Sequence, residues 1–405
     1  MTFYSILVFF GLKMKIAFIR MRYVPYGGAE NYLSLVGDEL VRHGHEVHIF
    51  SNWWKGSNPE TVSGPFIFHK VPVIKLSSFL KILSFTICSY FLIKKDKFDI
   101  ILSFDRILYQ DIYRAGDGCH REWLEKRKVI ESPLKIFLTI INPFHRTILY
   151  LEKRIYQGNG CRKIIANSFK GRDDIVRHYR TPDEKITVVY NGVDLNRFKP
   201  SNRDIHREEV RRNYRIGEND IVILFVGSGF ERKGLKFLFE GVSLLEKGCR
   251  MQDTRYKVLV VGKGDFTYYR NMARRLGIEE NLIFAGITTE IEKFYAASDV
   301  FILPSIYDPF SNACLEAMAS GIPVITTKNN GVSEIIENGK DGFIVESHSD
   351  VNEIASKISF LMFQDLRESF GRDARKKAEK FTIENTVKKM IEICDYGYFR
   401  ESFRF

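Results

Sequence analysis

Two acidic residues stand out in the stretch DPFSNACLEAMASGIPVI, which begins at Asp308. Asp308 comes directly before Pro309, a residue that is excluded from the interior of a helix. A helix is predicted over 312–320 with Ser311 as its N-cap, so Glu316 lies on the second turn. The spacing therefore places one carboxylate just before a helix and the other one turn inside it.

The start of this predicted helix offers a further chemical group, a pair of backbone amides. The N–H groups of Asn312 and Ala313 come before the first intrahelical hydrogen bonds, and the helix dipole favours an anion there. Glu316 is placed to bind a diol such as a ribose, while Asp308 can reach another part of the same ligand. A diphosphate between two sugars satisfies all three features, so the stretch predicts a nucleotide-sugar site.

Two cations occur in the stretch FVGSGFERKG, where Gly227 ends a predicted strand and Arg232 and Lys233 precede a helix. Arginine binds phosphate oxygens through paired hydrogen bonds, and lysine adds a point charge. Lys233 precedes Gly234, which is the reverse of the Walker A order. A solvated pair is the alternative, but cations at a helix start oppose the helix dipole. We therefore expect Arg232 and Lys233 to bind phosphate.

A glycine pair, Gly27-Gly28, lies in RYVPYGGAE between a predicted strand and an amphipathic helix. Glycine lets backbone amides approach a ligand closely, and a helix N-terminus favours an anion. The alternative is a plain turn between strand and helix. We expect both glycines to contribute to the donor site.

Short runs of Val, Ile and Leu alternate with helical patterns along the chain, which is typical of parallel sheets with helical crossovers. The predicted strands are KIAFI (15–19), EVHIF (46–50), DIILS (99–103), KIIANS (163–168), ITVVY (186–190), IVILFVG (221–227), KVLVVG (257–262), NLIFAG (281–286), VFILPS (300–305) and PVITT (323–327). They predict an α/β protein with two doubly wound Rossmann-like domains that face an interdomain cleft, with ligands beyond the carboxyl ends of the strands.

The domain boundaries are predicted from the same pattern. They are 14–195 for an acceptor-side domain, 196–220 for a polar linker, 221–381 for a nucleotide-sugar domain, and 382–405 for a helix that packs back on the first domain. The apolar run before Met14 is too short to span a bilayer and lacks the features of a signal peptide. We expect translation to start at Met14, and the alternative for residues 1–13 is a short membrane-associating arm.

Composition narrows the possible partners. The 405 residues carry a formal net charge of +11, which favours an anionic partner such as nucleic acid, an acidic membrane surface or a phosphorylated ligand. No nucleic-acid-binding pattern accompanies the charge, so no nucleic acid is expected. The six cysteines lack metal-binding spacing and no Asp-x-Asp sequence occurs, so neither a metal nor another cofactor is expected.

These motifs together resemble family 4 retaining glycosyltransferases, which have the GT-B fold. The stretch from Asp308 is similar to the family's acid-x7-Glu motif, FERKG to its Arg-Lys pair, PYGGAE to its glycine loop, and NGVD stands at 191–194 as in the family. The resemblance covers nearly the whole chain from Met14. It implies that helix amides hold the diphosphate, Glu316 binds the ribose, and Asp308, where the family usually has Glu, contacts the donor sugar.

A further stretch, DIYRAGDGCHREWLEKR, resembles the lipopolysaccharide core glucosyltransferase branch of the family, which transfers glucose from UDP-glucose to an inner-core heptose. The resemblance implies that Asp117 lies in the cleft and that His120 faces the donor sugar. The alternatives are a capping Asp and a surface His. Transfer in this family implies catalysis by positioning, with Arg232 and Lys233 stabilising the departing UDP in place of a metal.

The positive charge is concentrated between His120 and Lys163, where aromatic residues are interleaved with basic ones. This pattern is typical of the interface of an anionic membrane, and Lys126, Arg127 and Lys128 are the predicted membrane-binding residues. The apolar stretch at 79–93 is interpreted as a core or interface helix, with a membrane span as the less favoured alternative.

We therefore expect a metal-independent hexosyltransferase, peripheral on the cytoplasmic face of the inner membrane, with a glycolipid or lipopolysaccharide core acceptor. Two alternatives stay open: a glycosyltransferase of capsule or another glycan with a different donor, and a catalytically silent GT-B protein that binds membranes. The candidate catalytic residues are Asp117, His120, Arg232, Lys233 and Asp308. The candidate donor-binding residues are Gly27, Gly28, Gly227, Arg232, Lys233, Asp308, Asn312, Ala313 and Glu316.

Overall fold

The computed structural model describes residues 13–23, 28–54, 65–247 and 255–399, with the backbone alone at 28–31, 129, 247 and 394–399. The expectations for residues 1–12 and for Gly27 therefore fall outside the described residues. The chain divides into two compact units. The first unit comprises Met1–Ala166, Arg172–Val189 and Val387–Phe405, and the second comprises Asn167–Gly171 and Tyr190–Thr386.

The first unit is built on a parallel sheet. Its strands are β1 (Lys15–Ile19), β2 (Arg22–Tyr23), β3 (Glu46–Ser51), β4 (Trp53–Trp54), β5 (Ile67–Lys70), β6 (Ile100–Ser103), β7 (Ile112–Arg114), β8 (Lys163–Ala166) and β9 (Ile186–Val188). Strands β2 and β4 pair with each other, and the other seven form one sheet in the order β5-β3-β1-β6-β7-β8-β9. All of its pairings are parallel, so its helices must serve as crossovers.

The helices between residues 28 and 179 follow these strands. They are α1 (Gly28–Arg42), α2 (Ser78–Ile93), α3 (His120–Ile130), α4 (Pro133–Ile141), α5 (Pro143–Tyr156) and α6 (Phe169–Tyr179). Ser77 caps α2 by accepting a hydrogen bond from the Leu80 amide at 3.1 Å. Phe85 and Ile93 of α2 are buried in a core cluster with Ile19 and other strand residues, so this apolar stretch forms a core helix.

The second unit has a six-stranded sheet, in the order β12-β11-β10-β13-β14-β15, with parallel pairings throughout. Its strands are β10 (Ile221–Val226), β11 (Tyr256–Val261), β12 (Leu282–Gly286), β13 (Val300–Leu303), β14 (Val324–Thr327) and β15 (Gly342–Val345). Its helices are α7 (Asn202–Asn213), α8 (Leu235–Lys247), α9 (Phe266–Leu276), α10 (Ile291–Ala297), α11 (Asn312–Ala319), α12 (Val351–Phe360) and α13 (Gln364–Ala378). A final helix, α14 (Ile383–Phe399), continues from this unit into the first.

The segment predicted as a linker contains α7, and α7 is part of the second unit. Its Arg203, Arg207 and Arg211 lie 3.0, 2.9 and 2.7 Å from the carboxylate of Asp299, just before β13. Asp299 also accepts a hydrogen bond from the Val222 amide at the start of β10. This buried carboxylate therefore ties α7 to the two strands whose far ends carry the candidate site.

No helix in the described part of the chain is both long enough and apolar enough to cross a membrane.

Candidate active site

The candidate donor site lies at the carboxyl edge of the second sheet. Strands β10, β13 and β14 are neighbours and run parallel, so the loops that follow them emerge at the same edge. This is the edge at which open α/β sheets bind ligands. Arg232 and Lys233 lie on the loop after β10, and Asp308 lies on the loop after β13.

Glycines bring the first two loops together. Gly234 has φ +80°, and a Cβ atom at this position would lie 1.9 Å from the carbonyl oxygen of Pro304. The Ile306 amide donates to the Arg232 carbonyl at 3.0 Å, which joins the same loops. A Cβ at Gly227 would lie only 3.2 Å from Cγ of Lys233, so Gly227 leaves room for the lysine side chain.

Lys233 and Asp308 form an ion pair at this junction. Asp308 is buried, with 4% of its surface exposed. Burial by itself raises the pKa of the Asp308 carboxyl, but the charges of Lys233 and Arg232 outweigh it and leave that pKa below the usual value. The carboxylate is thus ionised and holds the lysine ammonium at the carboxyl edge. The sequence assigned the two residues to different parts of one ligand, and the structure brings their side chains into contact.

The helix predicted next to this pair is present, with Ser311 as N-cap and Asn312 as the first residue of α11. The Ser311 hydroxyl makes no capping hydrogen bond. Instead, Asn330 fixes this end of the helix, because its Oδ1 accepts from the Ser311 amide at 3.1 Å and its Nδ2 donates to Thr326 Oγ1 at 3.0 Å. Sequence reasoning missed this fully buried Asn330. The only feature of the sequence that could have indicated it is the loop KNNG directly after a strand.

The NGVD motif reaches the same helix start. The Asn191 side-chain amide donates to Oδ1 of Asn312 at 2.5 Å. Asn312 and Ala313 are partly exposed at the end of α11, where backbone N–H groups point outward along a helix axis. The beginning of α11 is therefore positioned by two asparagines from different loops.

The Glu316 side chain is fixed by a contact with Tyr295 of α10. The Tyr295 hydroxyl lies 2.9 Å from Glu316 Oε2 and 3.1 Å from the Ala313 carbonyl oxygen, and the tyrosine is fully buried. Burial raises the pKa of the Glu316 carboxyl, and the Tyr295 hydrogen bond and the charge of Arg197 oppose that rise. Sequence reasoning missed Tyr295, because in FYAASD it reads as an ordinary core residue.

The first unit contains the other two candidate catalytic residues. Asp117 follows β7, and its carboxylate lies 3.5 Å from Nη1 of Arg20, which also lies 3.0 Å from Asp105. Half of the Asp117 side chain is exposed. A residue in this setting can both hold a cation and reach a ligand in solvent.

His120 is the first residue of α3, and its amide contacts the buried carboxylate of Glu152, which sequence reasoning missed. Glu152 of α5 accepts from the His120 amide at 2.6 Å, from Arg106 Nε at 3.0 Å and from the Tyr179 hydroxyl at 2.8 Å. Its side chain is completely buried. Glu152 therefore satisfies amides at the start of α3 and fixes the position of His120.

The His120 imidazole contacts a second histidine. Its Nε2 lies 2.9 Å from Nδ1 of His145, and the two rings are stacked with centroids 5.1 Å apart. Burial lowers the pKa of His120 to about 3, and the charge of Arg106 and the neighbouring His145 add to the effect. His120 is therefore a neutral imidazole at physiological pH.

Of the predicted site residues, the second sheet edge brings together Arg232, Lys233 and Asp308 with Gly227. The start of α11 adds the predicted amides of Asn312 and Ala313 and the carboxylate of Glu316. Asp117 and His120 belong to the other unit. Gly28 is the first residue of α1.

Two family models match consecutive parts of the chain. The model for Glycosyltransferase Family 4 matches residues 26–197, and the model for Glycosyl transferases group 1 matches residues 206–377. The chain is a family 4 glycosyltransferase with the GT-B fold.

This glycosyltransferase is similar to proteins of known name along nearly its whole length. It is 24% identical over 387 residues to the lipopolysaccharide glucosyltransferase WaaG of Escherichia coli, covering 95% of this chain and 99% of WaaG. A crystal structure of WaaG superposes with a TM-score of 0.79, at 23% identity and with 94% and 99% of the two chains covered. The Anabaena protein HepE, solved in complex with UDP and glucose, gives a TM-score of 0.72 at 20% identity and covers 95% and 100%.

The predicted membrane-binding cations of this glycosyltransferase are all paired with acids in α3 or directly after it. Arg127 lies 2.5 Å from Glu131, Lys128 lies 2.8 Å from Glu125, and Lys126 lies 3.7 Å from an acid one turn earlier. Pairing reduces the net positive charge that this turn presents to a surface.

The neighbouring helix α4 differs, because none of its residues is buried. Its exposed large apolar side chains include Leu134 (68%), Phe137 (58%), Leu138 (53%) and Ile141 (49%).

Proposed function

We propose that this glycosyltransferase transfers a hexose, in the first place glucose, from a UDP-sugar to a lipopolysaccharide core or related glycolipid, with retention at the anomeric carbon. The observation that carries the proposal is the buried Lys233–Asp308 pair beside the start of α11 at one sheet edge. Similarity along the whole chain to an enzyme named lipopolysaccharide glucosyltransferase supports this choice of donor and acceptor.

In the proposed reaction the donor diphosphate binds to the amides of Asn312 and Ala313 and to the cations of Arg232 and Lys233. Negative charge grows on the diphosphate as its bond to the anomeric carbon breaks, and these fixed donors stabilise it. The leaving phosphate takes the proton of the acceptor hydroxyl on the same face of the sugar. Asp308 keeps Lys233 oriented for this task, and we propose no metal ion because the two cations supply its charge.

The ribose of the donor binds to Glu316 in this proposal. Its two hydroxyls donate to a carboxylate that Tyr295 already fixes at 2.9 Å, so little side-chain entropy is lost on binding. Asp117 and the neutral imidazole of His120 contact the donor sugar, since an uncharged ring nitrogen can donate or accept a hydrogen bond from a hydroxyl.

We further propose that the enzyme docks on the cytoplasmic face of the inner membrane through α4. Its outward face consists of Leu134, Phe137, Leu138 and Ile141, which follow the i, i+3, i+4, i+7 spacing of one helix face. A contiguous exposed apolar face of this kind marks an interaction site and suits the acyl boundary of a bilayer. Docking there would bring a lipid-linked acceptor close to the enzyme.

Donor hydrolysis and transfer should be measured with UDP-, GDP- and ADP-sugars, using delipidated lipopolysaccharide core as the acceptor. The proposal expects the highest turnover with UDP-glucose and an α-linked product by NMR. Turnover with another nucleotide-sugar and no reaction with UDP-glucose would contradict the choice of donor. Binding of all three nucleotides without turnover of any donor would contradict an enzyme and support a silent binding protein.

A further inference from the structure

The helices α3, α4 and α5 of the first unit line an open cavity of about 320 Å³, a size at the lower end of the range for small-molecule sites. Its wall includes Arg121, Glu131, Ile136, His145 and Arg146. The cavity lies on the opposite side of α4 from the apolar face described above, because Ile136 is one of the residues of α4 that line it.

One atom in this wall lacks a partner. The Glu131 side chain is 6% exposed, and its Oε1 accepts both hydrogen bonds from Arg127. Its other oxygen, Oε2, is buried and has no hydrogen-bond partner among the described residues. A buried carboxylate oxygen of this kind needs a donor, and a ligand hydroxyl can supply one.

The charges of the wall do not cancel. Arg127 pairs with Glu131 and Lys128 with Glu125, whereas Arg121 and Arg146 form no ion pair with any described residue. Two guanidinium groups are therefore available for an anion, and guanidinium binds phosphate or carboxylate oxygens through paired hydrogen bonds.

His145 connects this cavity to the candidate active site. It lines the cavity and lies 2.9 Å from the His120 imidazole. A ligand bound in the cavity would thus lie one side chain away from the residue that is proposed to contact the donor sugar.

We propose that this cavity is the acceptor subsite, and that it takes an anionic sugar, a phosphorylated one in the first place. The sugar phosphate binds to Arg146 and Arg121, a sugar hydroxyl donates to Glu131 Oε2, and apolar parts of the acceptor lie against Ile136. The inference rests on the proposed glycosyl transfer to a glycolipid, and it assigns the part of the molecule that selects the acceptor.

The test uses mannose 6-phosphate, mannose and inorganic phosphate as probes, with binding measured by calorimetry on the full chain. Mannose 6-phosphate should bind more tightly than either mannose or phosphate alone. Arg146→Ser should weaken its binding about tenfold or more, because a charge-assisted contact is lost. The matched control is Lys153→Ser, an exposed cation on the same helix that does not line the cavity, and it should bind like wild type.

A second variant, Glu131→Gln, should reduce the preference for mannose 6-phosphate over phosphate, with retained folding checked by thermal melting. Equal binding of mannose 6-phosphate by Arg146→Ser and Lys153→Ser would overturn the proposal. Equal affinity for phosphate and mannose 6-phosphate in wild type would do the same, because the cavity would then be a simple anion site.

UDP binding serves as the separate readout for the donor function. All variants should bind UDP normally, whereas a wild-type chain that does not bind UDP would overturn the donor function and with it the acceptor assignment.

Discussion

The edge of the second sheet and the helical segment α3–α5 organise their charges in different ways. At the sheet edge, each functional group has a partner from another element: Asp308 holds Lys233, and Tyr295 holds Glu316. In the helical segment, Lys126, Arg127 and Lys128 pair with acids three or four residues away in the chain, and α4 exposes its apolar side chains. The first arrangement fixes single atoms, whereas the second presents a surface.

The difference matches the two roles that we propose, transfer at the sheet edge and membrane docking through the helical segment. Stabilising a leaving diphosphate requires donors that are already in position, because reorganisation during the reaction would cost free energy. Contact with a bilayer requires only apolar area and tolerates mobile side chains. Substitutions at the sheet edge should therefore have large effects on turnover, and single substitutions in α4 should have smaller, additive effects on partition.

The largest effect is expected for Lys233→Ala. The variant loses a cation at the leaving group, so kcat should fall about 10²–10³-fold, as when one preorganised donor is removed. It also leaves Asp308 buried without its ion-pair partner, which should lower the melting temperature. Steady-state kinetics at saturating donor and thermal melting measure the two effects.

The control for this variant is Lys236→Ala, at an exposed position on α8, which should retain turnover. The pH dependence provides an independent check. In wild type the pKa of Asp308 lies below its ordinary value, so the pair stabilises the fold above that ordinary value and this stabilisation is lost as the pH falls through the lower, folded-state pKa. An unchanged kcat in Lys233→Ala would mean that Lys233 takes no part in the reaction.

The second effect concerns donor affinity. Glu316→Ala should weaken UDP binding by roughly 1.5–3 kcal/mol, because the ribose loses a charge-assisted hydrogen-bond partner. Calorimetry with UDP measures this, and Glu368→Ala, an exposed acid on α13, is the matched control. Unchanged UDP affinity in Glu316→Ala would place the ribose elsewhere.

The sequence predicts the sheet edge better than the helical segment for a physical reason. A strand, a turn and a capped helix are local features, so α11 and the loop of Arg232 follow from short windows. The supporting contacts of Asn330, Tyr295 and Glu152 come from residues far away in the chain, and each of these reads locally as a loop or core position.

Among the strands, too, some were predicted from the local sequence and others were not. Long Val/Ile/Leu runs such as β10 and β11 are recognisable because both of their faces are buried. The strands β2, β4, β5, β7 and β15 were not predicted, and β2 and β4 have only two residues each. Strand β5 lies at the edge of its sheet with exposed ends, and β15 begins with Gly342, which gives little hydrophobic signal. In α3 the positive charge was predicted, but the pairing of Lys126, Arg127 and Lys128 with acids one turn away was not.

The third effect tests the docking surface. Leu134→Ser combined with Phe137→Ser should weaken binding to anionic vesicles about 30-fold or more, since each large apolar side chain contributes on the order of 1 kcal/mol or more when buried. Replacing Lys126, Arg127 and Lys128 by Ser should have a smaller effect, because these cations are already paired. Vesicle sedimentation at low and high salt separates the apolar and charged contributions.

Transfer to a soluble, delipidated acceptor should stay near wild type in the apolar variant, because α4 turns these side chains to solvent. The reverse ranking, with the charge variant released and the apolar variant bound, would show that charge rather than apolar area holds the enzyme on the membrane. Equal binding of wild type and both variants to neutral and anionic vesicles would mean that neither α4 nor the three cations of α3 contact the membrane.

The smallest effect is expected from His120, whose pKa is lowered to about 3 by burial. The unfolded chain binds a proton at this histidine below its ordinary pKa near 6.5, whereas the folded chain does not, so stability must fall as the pH drops through that value. For this one group the loss is roughly 0.7 kcal/mol between pH 7 and pH 6. His120→Gln has no imidazole to titrate and keeps the amide that donates to Glu152, so its stability should depend less on pH over this range. Chemical denaturation at both pH values measures the slopes, with His43→Gln at an exposed position as the matched control. Equal slopes in wild type and His120→Gln would mean that His120 is protonated in the folded enzyme, which would contradict the neutral imidazole of the proposed function.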